Sequence, residues 1–374
     1  MKILQIINNL GSGGAEKLIV DFVPLMRDKG HEVEVLLLQK KGSIYIDELK
    51  QNGIEVTWLS LDKRYSLSHI LKIRNFINKG GFDIINVHLF PSLYFVGILS
   101  ILKLINSNII YTRHYTKSSR TNNVIFKKID QIIYKGYDNI IAITGRVEKS
   151  IIEERKADSD RIKVVGNGVD INKFSKSRAI ELSTLYNTYH NNHKVITMIG
   201  RFSVTKDQGT LIKAIEKLPD FVNLVLVGEG ELIESNKELV RELDIEDRVH
   251  FVGMRKDVSE ILKASDVGVL SSKMEGMPVS ALEIFASGTP FIGSDVLGIN
   301  ELFSDYDSEN ILFEYQDSEA LSILINDLIE NNITQKNNIN ICNKIVKKFS
   351  LEKMVEEYLE VYRILKTNKL LRVN

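Results

Sequence analysis

Residues 267–302 read VGVLSSKMEGMPVSALEIFASGTPFIGSDVLGINEL. Val267 to Leu270 is a short apolar run of the kind buried in a parallel sheet. The polar loop Ser271 to Met277 follows, with Glu275 and Gly276 in it. Pro278 and Ser280 open a helix, since proline suits the first turn and serine can cap free N–H groups. Gly288 closes it. A second strand, Pro290 to Gly293, leads to a turn and a short helix, Ile299 to Phe303. A helix that starts at the carboxyl end of a parallel strand offers free N–H groups and the positive end of its dipole, a site suited to phosphate. Glu275 stands before that helix and Glu283 about one turn inside it.

Two glutamates eight residues apart can equally be solvated surface groups. The whole string is more specific. E-G-M-P-V-S-A-L-E followed by A-S-G-T-P resembles the E-x7-E signature of the retaining glycosyltransferases of family 4. That resemblance implies an α/β fold of two Rossmann-like doubly wound domains facing each other across a cleft, the GT-B arrangement.

The 374 residues allow two domains of ordinary size, each with its own core. Lys and Arg balance Asp and Glu at 49 each, so no global field argues for nucleic acid. One cysteine, Cys342, excludes a disulfide framework and suits a reducing cytosol. The opening MKILQII is too short for a signal peptide's apolar core and reads as a first strand. The longest apolar run, Leu93 to Ile105, is broken by Ser100 and Lys103 and is too short to span a bilayer.

The N-terminal half alternates strands and helices. Strands are expected at Ile3–Ile7, Glu32–Leu38, Val56–Leu59, Asp83–Val87, Asn108–Thr112, Asn139–Ile143 and Lys163–Val165, and a helix at Lys17–Lys29. Such alternation implies a parallel sheet covered on both faces, with ligands at the strands' carboxyl ends. Gly11, Gly13 and Gly14 do not complete G-x-G-x-x-G, because position 16 is Glu, which opposes a nicotinamide cofactor on this loop. N-L-G-S-G-G-A-E-K resembles the family's N-terminal loop, which implies that Gly13 and Gly14 lie between donor diphosphate and acceptor. Two histidines end strands, His88 and His114. His114 matches the family's strand-end histidine at the transferred sugar. His88 stays open between an acceptor-side role and a structural hydrogen bond.

Between Ile101 and Gly136 stand Lys103, Arg113, Lys117, Arg120, Lys127, Lys128 and Lys135 against Asp130. The run reads either as a solvated face or as a basic patch at an anionic bilayer, which would also draw a lipid-diphosphate acceptor.

The second domain opens with strand Val195–Ile199 and G-R-F-S-V-T-K-D. Arg201 and Lys206, close together on one loop after a strand, are two cations of the kind a diphosphate leaving group needs. Strands ending at Val227 and near Gly253 follow. Gly166 and Gly168 read as hinge and turn. The expected division is an acceptor-binding domain at 1–175 and a nucleotide-sugar domain at 176–354. A C-terminal helix of about 355–374 returns to the first by resemblance.

The resemblance implies a retaining transfer from a nucleotide-diphosphate sugar, UDP-linked by family frequency, to a glycan or lipid-linked acceptor. Glu275 would hold the donor sugar's hydroxyls beside the anomeric centre and Glu283 the ribose. Arg201, Lys206 and the helix start at Val279 and Ser280 would take the diphosphate. Gly253, Met254, Gly276, Met277 and Pro278 would border the donor. Met277, Val296 and Leu297 depart from the family's usual residues at the sugar subsite. No cofactor and no metal are expected: Asp158-Ser159-Asp160 and Asp305-Tyr306-Asp307 are D-x-D triplets that follow no apolar strand. The implied setting is cytoplasmic, either free or peripheral on the inner face of the cytoplasmic membrane. Two other readings are a catalytically silent nucleotide-sugar-binding partner of another transferase and, opposed by the broken glycine motif, a nicotinamide-dependent oxidoreductase.

Overall fold

The computed structural model describes residues 1–11, 13–115, 124–186 and 190–373. Among them the chain forms two compact units, Met1–Asn167 with Leu351–Asn374, and Gly168–Ser350.

The first unit holds strands β1 (Lys2–Ile7), β2 (Glu32–Leu37), β3 (Glu55–Trp58), β4 (Ile84–His88), β5 (Asn108–Arg113), β6 (Asn139–Ala142) and β7 (Ile162–Val164). All pair in parallel, in the order β3-β2-β1-β4-β5-β6-β7. The central strands β1, β4, β5 and β6 are buried almost along their whole length because helices cover both faces, whereas β3 and β7 at the edges are partly exposed. The helix Gly14–Asp28 lays Phe22, Val23 and Met26 on one face, and the helix Leu351–Val373 adds Met354, Val355, Tyr358 and Tyr362 to the same cluster. The strand order reverses between β1 and β4, which puts the crevice of the sheet at the carboxyl ends of those two strands.

The second unit repeats the scheme with β8 (Lys194–Ile199), β9 (Val222–Val227), β10 (Val249–Phe251), β11 (Val267–Leu270), β12 (Phe291–Ser294) and β13 (Leu312–Phe313), ordered β10-β9-β8-β11-β12-β13. Ile196, Met198, Leu224, Leu226, Val267 and Ile292 form its core with Leu211, Ile215, Leu321 and Ile325 from covering helices. Its reversal lies between β8 and β11.

Three boundaries differ from expectation. The chain passes between units at Asn167/Gly168, not at 175/176, because the helix Ile171–Lys176 packs on the helices Val258–Lys263 and Val279–Ser287 of the second unit. The last helix begins at Leu351, four residues earlier than 355, since Leu351 and Met354 already belong to the first unit's core. The helix after β1 starts at Gly14, so Gly14 and Glu16 sit in its first turn and not in a loop. No helix among the described residues is long and apolar enough to cross a membrane.

Candidate active site

In the second unit the switch point brings together the loops after β8 and β11. They are sewn to each other by backbone and side-chain bonds. The Lys273 amide donates to the Thr205 carbonyl at 2.9 Å, and the Ser271 hydroxyl to the Asp207 carbonyl at 2.7 Å. Across this seam Lys206 Nζ lies 2.6 Å from Glu275 Oε1, and the Ser272 hydroxyl donates to the same oxygen at 2.6 Å. The lysine side chain is 21% and the glutamate 12% exposed, so the pair attracts more strongly than a surface ion pair. Oε2 takes no hydrogen bond from the described residues and is the oxygen available to a hydroxyl.

The Glu275 loop is also held from behind. Its amide donates to the Leu297 carbonyl at 3.1 Å. Gly298, at φ +93°, packs so close that a Cβ there would stand 2.5 Å from the Glu275 carbonyl oxygen. Gly276 follows, Met277 is buried, and Pro278 is the N-cap of the helix Val279–Ser287. Ser280 makes no capping bond. It lies buried inside the first turn, so proline and the extended backbone before it start this helix without a serine cap. Glu283, 8% exposed, is the fifth residue of that helix, and Gly288 ends it in the left-handed conformation.

Arg201 departs from the expected pairing of cations. Its guanidinium reaches Glu231, with Nη2 3.0 Å and Nε 3.3 Å from Oε2, and the side chain is 69% exposed. The reason lies in the neighbouring turn. Gly230 fits against Phe202 so tightly that a Cβ would fall 2.2 Å from the Phe202 carbonyl oxygen, and the Phe202 amide donates to Glu229 at 3.0 Å. That contact carries Glu231 up beside Arg201, while Lys206 turns to Glu275. Gly253 is committed by its carbonyl to the Gly228 amide at 2.8 Å, and the half-buried Met254 follows it.

The first unit's switch point carries a chain of polar groups. Gln5 on β1, His88 at the end of β4 and His114 just after β5 are linked in series. His88 Nε2 is 2.8 Å from Gln5 Oε1, and His88 Nδ1 is 2.9 Å from His114 Nε2. The Gln5 oxygen only accepts, so His88 carries its proton on Nε2 and accepts at Nδ1. His114 therefore donates through Nε2, and Nδ1 is its lone-pair nitrogen. Burial holds both rings neutral, with His88 well below the usual histidine range and the partly exposed His114 at about 4. Behind them the Tyr362 hydroxyl accepts from Gln5 at 3.4 Å and from Asn86 at 2.9 Å. His88 is thus a hydrogen-bonded core residue that touches His114. At the glycine loop, Ser12 lies outside the described residues. The Glu16 carboxylate folds over Gly13, within 2.2 Å of where a Cβ would be, and so places negative charge at that helix start.

The basic run is reduced by the structure. Arg113 is fully buried on β5, bonded to the Tyr115 carbonyl at 2.9 Å and to Ser150 at 3.1 Å, because a strand inside a sheet takes its side chain into the core. Lys117 and Arg120 lie outside the described residues. Lys103, Lys128 and Lys135 are exposed and Lys127 is half-buried. Of the D-x-D triplets, Asp158 caps a single turn of 3-10 helix and Asp305 pairs with Lys348 at 3.0 Å. Sequence reasoning missed Ser272, Glu231, Gln5 and Tyr362. Only Gln5 carried a signal, as a polar residue inside the apolar run KILQII.

Residues 12–173 match the family model described as Glycosyltransferase Family 4, and residues 187–344 the model of Glycosyl transferases group 1. Among curated relatives is the UDP-Gal:alpha-D-GlcNAc-diphosphoundecaprenol alpha-1,3-galactosyltransferase of Escherichia coli, 26% identical over 81% of each chain. Another is the N-acetyl-alpha-D-glucosaminyl L-malate synthase of Bacillus anthracis, 25% identical over 94% of this chain and 93% of that one. Among solved structures, Anabaena HepE in complex with UDP and glucose superimposes with a TM-score of 0.80. It is 22% identical and covers 96% of this chain and 98% of its own, and it shows the two-domain GT-B fold. With both halves of the chain matched in order, the protein belongs to glycosyltransferase family 4.

Proposed function

We propose that this glycosyltransferase moves a sugar from a UDP-sugar to a hydroxyl of a lipid-linked glycan, with retention of configuration and without a metal, in cell-surface polysaccharide synthesis. The observation that carries the reading is the Lys206–Glu275 pair, 2.6 Å apart at the switch point, beside the helix that bears the buried Glu283. A cation and a carboxylate in contact suit the two charges that separate when a glycosidic bond to a diphosphate breaks. Lys206 takes the negative charge growing on the leaving phosphate, and Glu275 faces the positive charge growing at the anomeric carbon. The N–H groups of the first turn at Val279 and Ser280 add to the phosphate site, and Arg201 joins them by leaving Glu231. Glu283 accepts from the ribose hydroxyls.

Two close carboxylates would serve as acid and nucleophile in a retaining hydrolase. Here Glu283 is given to the ribose, so the acceptor attacks on the face the phosphate leaves, and the phosphate takes its proton. In the first unit, His114 offers Nδ1 to a sugar hydroxyl, with Gly13 and Gly14 on the acceptor side. The choice of UDP and of a diphospholipid acceptor follows the names of the Escherichia coli relative and of the HepE complex. The protein then works at the inner face of the membrane.

Thermal unfolding against UDP, GDP, ADP, CMP and NAD, each with and without chelator, tests this. A ligand at 100 times its Kd adds about 2.7 kcal/mol. The expected result is a rise in midpoint with UDP that chelator does not change. A rise with NAD alone, or with no nucleoside diphosphate, overturns the reading, and a rise with UDP that chelator abolishes overturns the metal-free mechanism.

A further inference from the structure

The loop from β3 into the helix Ser68–Gly80 exposes more apolar surface than its fold requires. Leu61 is 68%, Tyr65 65%, Leu67 76% and Leu71 62% exposed, four large side chains within eleven residues. Single exposed leucines are ordinary, but a cluster marks a contact surface. The helix has a separate inner face, with His69, Ile73 and Ile77 buried, so the core accounts for none of the four. Residues 59–82 carry Lys63, Arg64, Lys72, Arg74 and Lys79 against the single acid Asp62. Apolar side chains projecting among cations fit an anionic bilayer, whose headgroups take the charges and whose acyl boundary takes the leucines.

The position of this element matters as much as its chemistry. Tyr65 packs on Phe90 at 6.1 Å between ring centroids, and Phe90 on Tyr94 at 5.0 Å. The Phe90 carbonyl accepts from Asn8 at 2.8 Å. Phe90 follows β4, whose last residue is His88, so the exposed loop is fastened to the edge of the sheet where Gln5, His88 and His114 meet.

We propose that residues 61–72 form a docking surface for an anionic membrane. Leu61, Tyr65, Leu67 and Leu71 enter the interface, Lys63 and Lys72 contact lipid phosphates, and the acceptor end of the first unit's sheet is thereby brought to the lipid. This relocates the membrane contact from the run 103–135, where Arg113 is buried, and it rests on the lipid-linked acceptor reading.

The test is co-sedimentation of the full chain with vesicles of phosphatidylglycerol and phosphatidylethanolamine, and with phosphatidylcholine alone, at low salt and at about 0.5 M salt. Variants are Leu67→Ser with Leu71→Ser, Leu61→Ser alone, and Lys63→Ser with Lys72→Ser, each checked for an unchanged unfolding midpoint. The expected result is binding to the anionic vesicles only, weakened by salt and reduced about tenfold by the paired leucine and the paired lysine variants. Absence of binding by the natural chain, or binding by both paired variants equal to that of the natural chain, overturns the proposal. So does a shift in sedimentation equilibrium of the leucine variant from dimer to monomer with vesicle binding unchanged, which would make the patch a contact between copies. UDP stabilisation, measured on the same variants, reports on the donor site separately. Its loss in the natural chain would end the functional reading while leaving the vesicle result standing.

Discussion

Glu275→Gln separates charge from shape at the candidate site. Glutamine keeps the length of the side chain and an oxygen that can accept from Ser272, but it leaves Lys206 without a counter-charge. At 2.6 Å and an effective dielectric near 20, the gross attraction lost is about 6 kcal/mol. Desolvation of two partly buried groups offsets most of it, so the expected cost in stability is about 1–3 kcal/mol. If Glu275 also faces the anomeric centre, its charge stabilises the transition state, and removing such a group lowers kcat by roughly 100- to 1,000-fold, or about 2.7–4 kcal/mol. UDP binding should be unchanged or tighter, because Lys206 is no longer shared with a carboxylate. The assay is UDP release from whichever UDP-sugar the natural chain turns over, with UDP affinity measured by calorimetry on the same sample. Turnover within about threefold of the natural chain would refute the role of the charge. Ser272→Ala should fall between, near a tenfold loss, since it removes a positioning bond to Oε1 and leaves the charge in place.

Gly298→Ala places a Cβ 2.5 Å from the Glu275 carbonyl at a φ of +93°. It should cost about 1–3 kcal/mol and lower turnover beyond that loss; a urea midpoint and turnover equal to the natural chain's would show that the loop yields freely. Tyr362→Phe strips the acceptor from two buried amides, Gln5 and Asn86, and should destabilise the first unit by about 1–3 kcal/mol while UDP affinity stays the same. Equal loss of UDP binding would contradict that separation. His114 and His250 have folded values of about 4, both lowered by burial, and burial also holds His88 well below the usual histidine range. An unfolded histidine near 6.5 binds its proton first, so their contribution is complete above pH 6.5 and lost as pH falls toward 4, by at most about 1.4 kcal/mol per histidine per pH unit. Urea midpoints that do not move between pH 7.5 and 5 would refute the neutral histidines.

Every strand of the first unit was legible: the central ones are apolar runs buried on both faces, and β2, β3 and β7 are short β-branched stretches between polar turns. The two-residue β13 was not, since Leu312 and Phe313 are too few to show a pattern. Helix starts were less legible than strands. Gly14 looks like loop from composition, yet with Gly13 extended before it the chain winds at once, and glycine at a first turn costs little. Arg201 shows a different limit. Its place on the loop after β8 followed from the strand pattern, but the direction of its side chain depends on Glu231, thirty residues away, and on how closely Gly230 approaches Phe202.

The same contrast explains why the donor side reads more clearly than the acceptor side. Ser272, Glu275 and Glu283 lie within one strand, loop and helix, and Lys206 joins them from the loop after β8, the strand next to β11 in the sheet. A local pattern with a fixed spacing therefore encodes nearly all of that site's geometry. Gln5 lies inside β1, His88 and His114 at the ends of β4 and β5, and Tyr362 on the final helix, and the Gln5–Tyr362 bond spans 357 positions. No spacing rule connects them, and each alone is an ordinary polar residue in an apolar run. Their arrangement fixes which nitrogen of His114 carries the proton, a property set by four segments at once. Substitutions at Gln5 or Tyr362 should therefore alter how His114 meets its hydroxyl without touching the donor site. Change in acceptor choice can arise by such distant exchanges while the loop around Glu275 stays as it is.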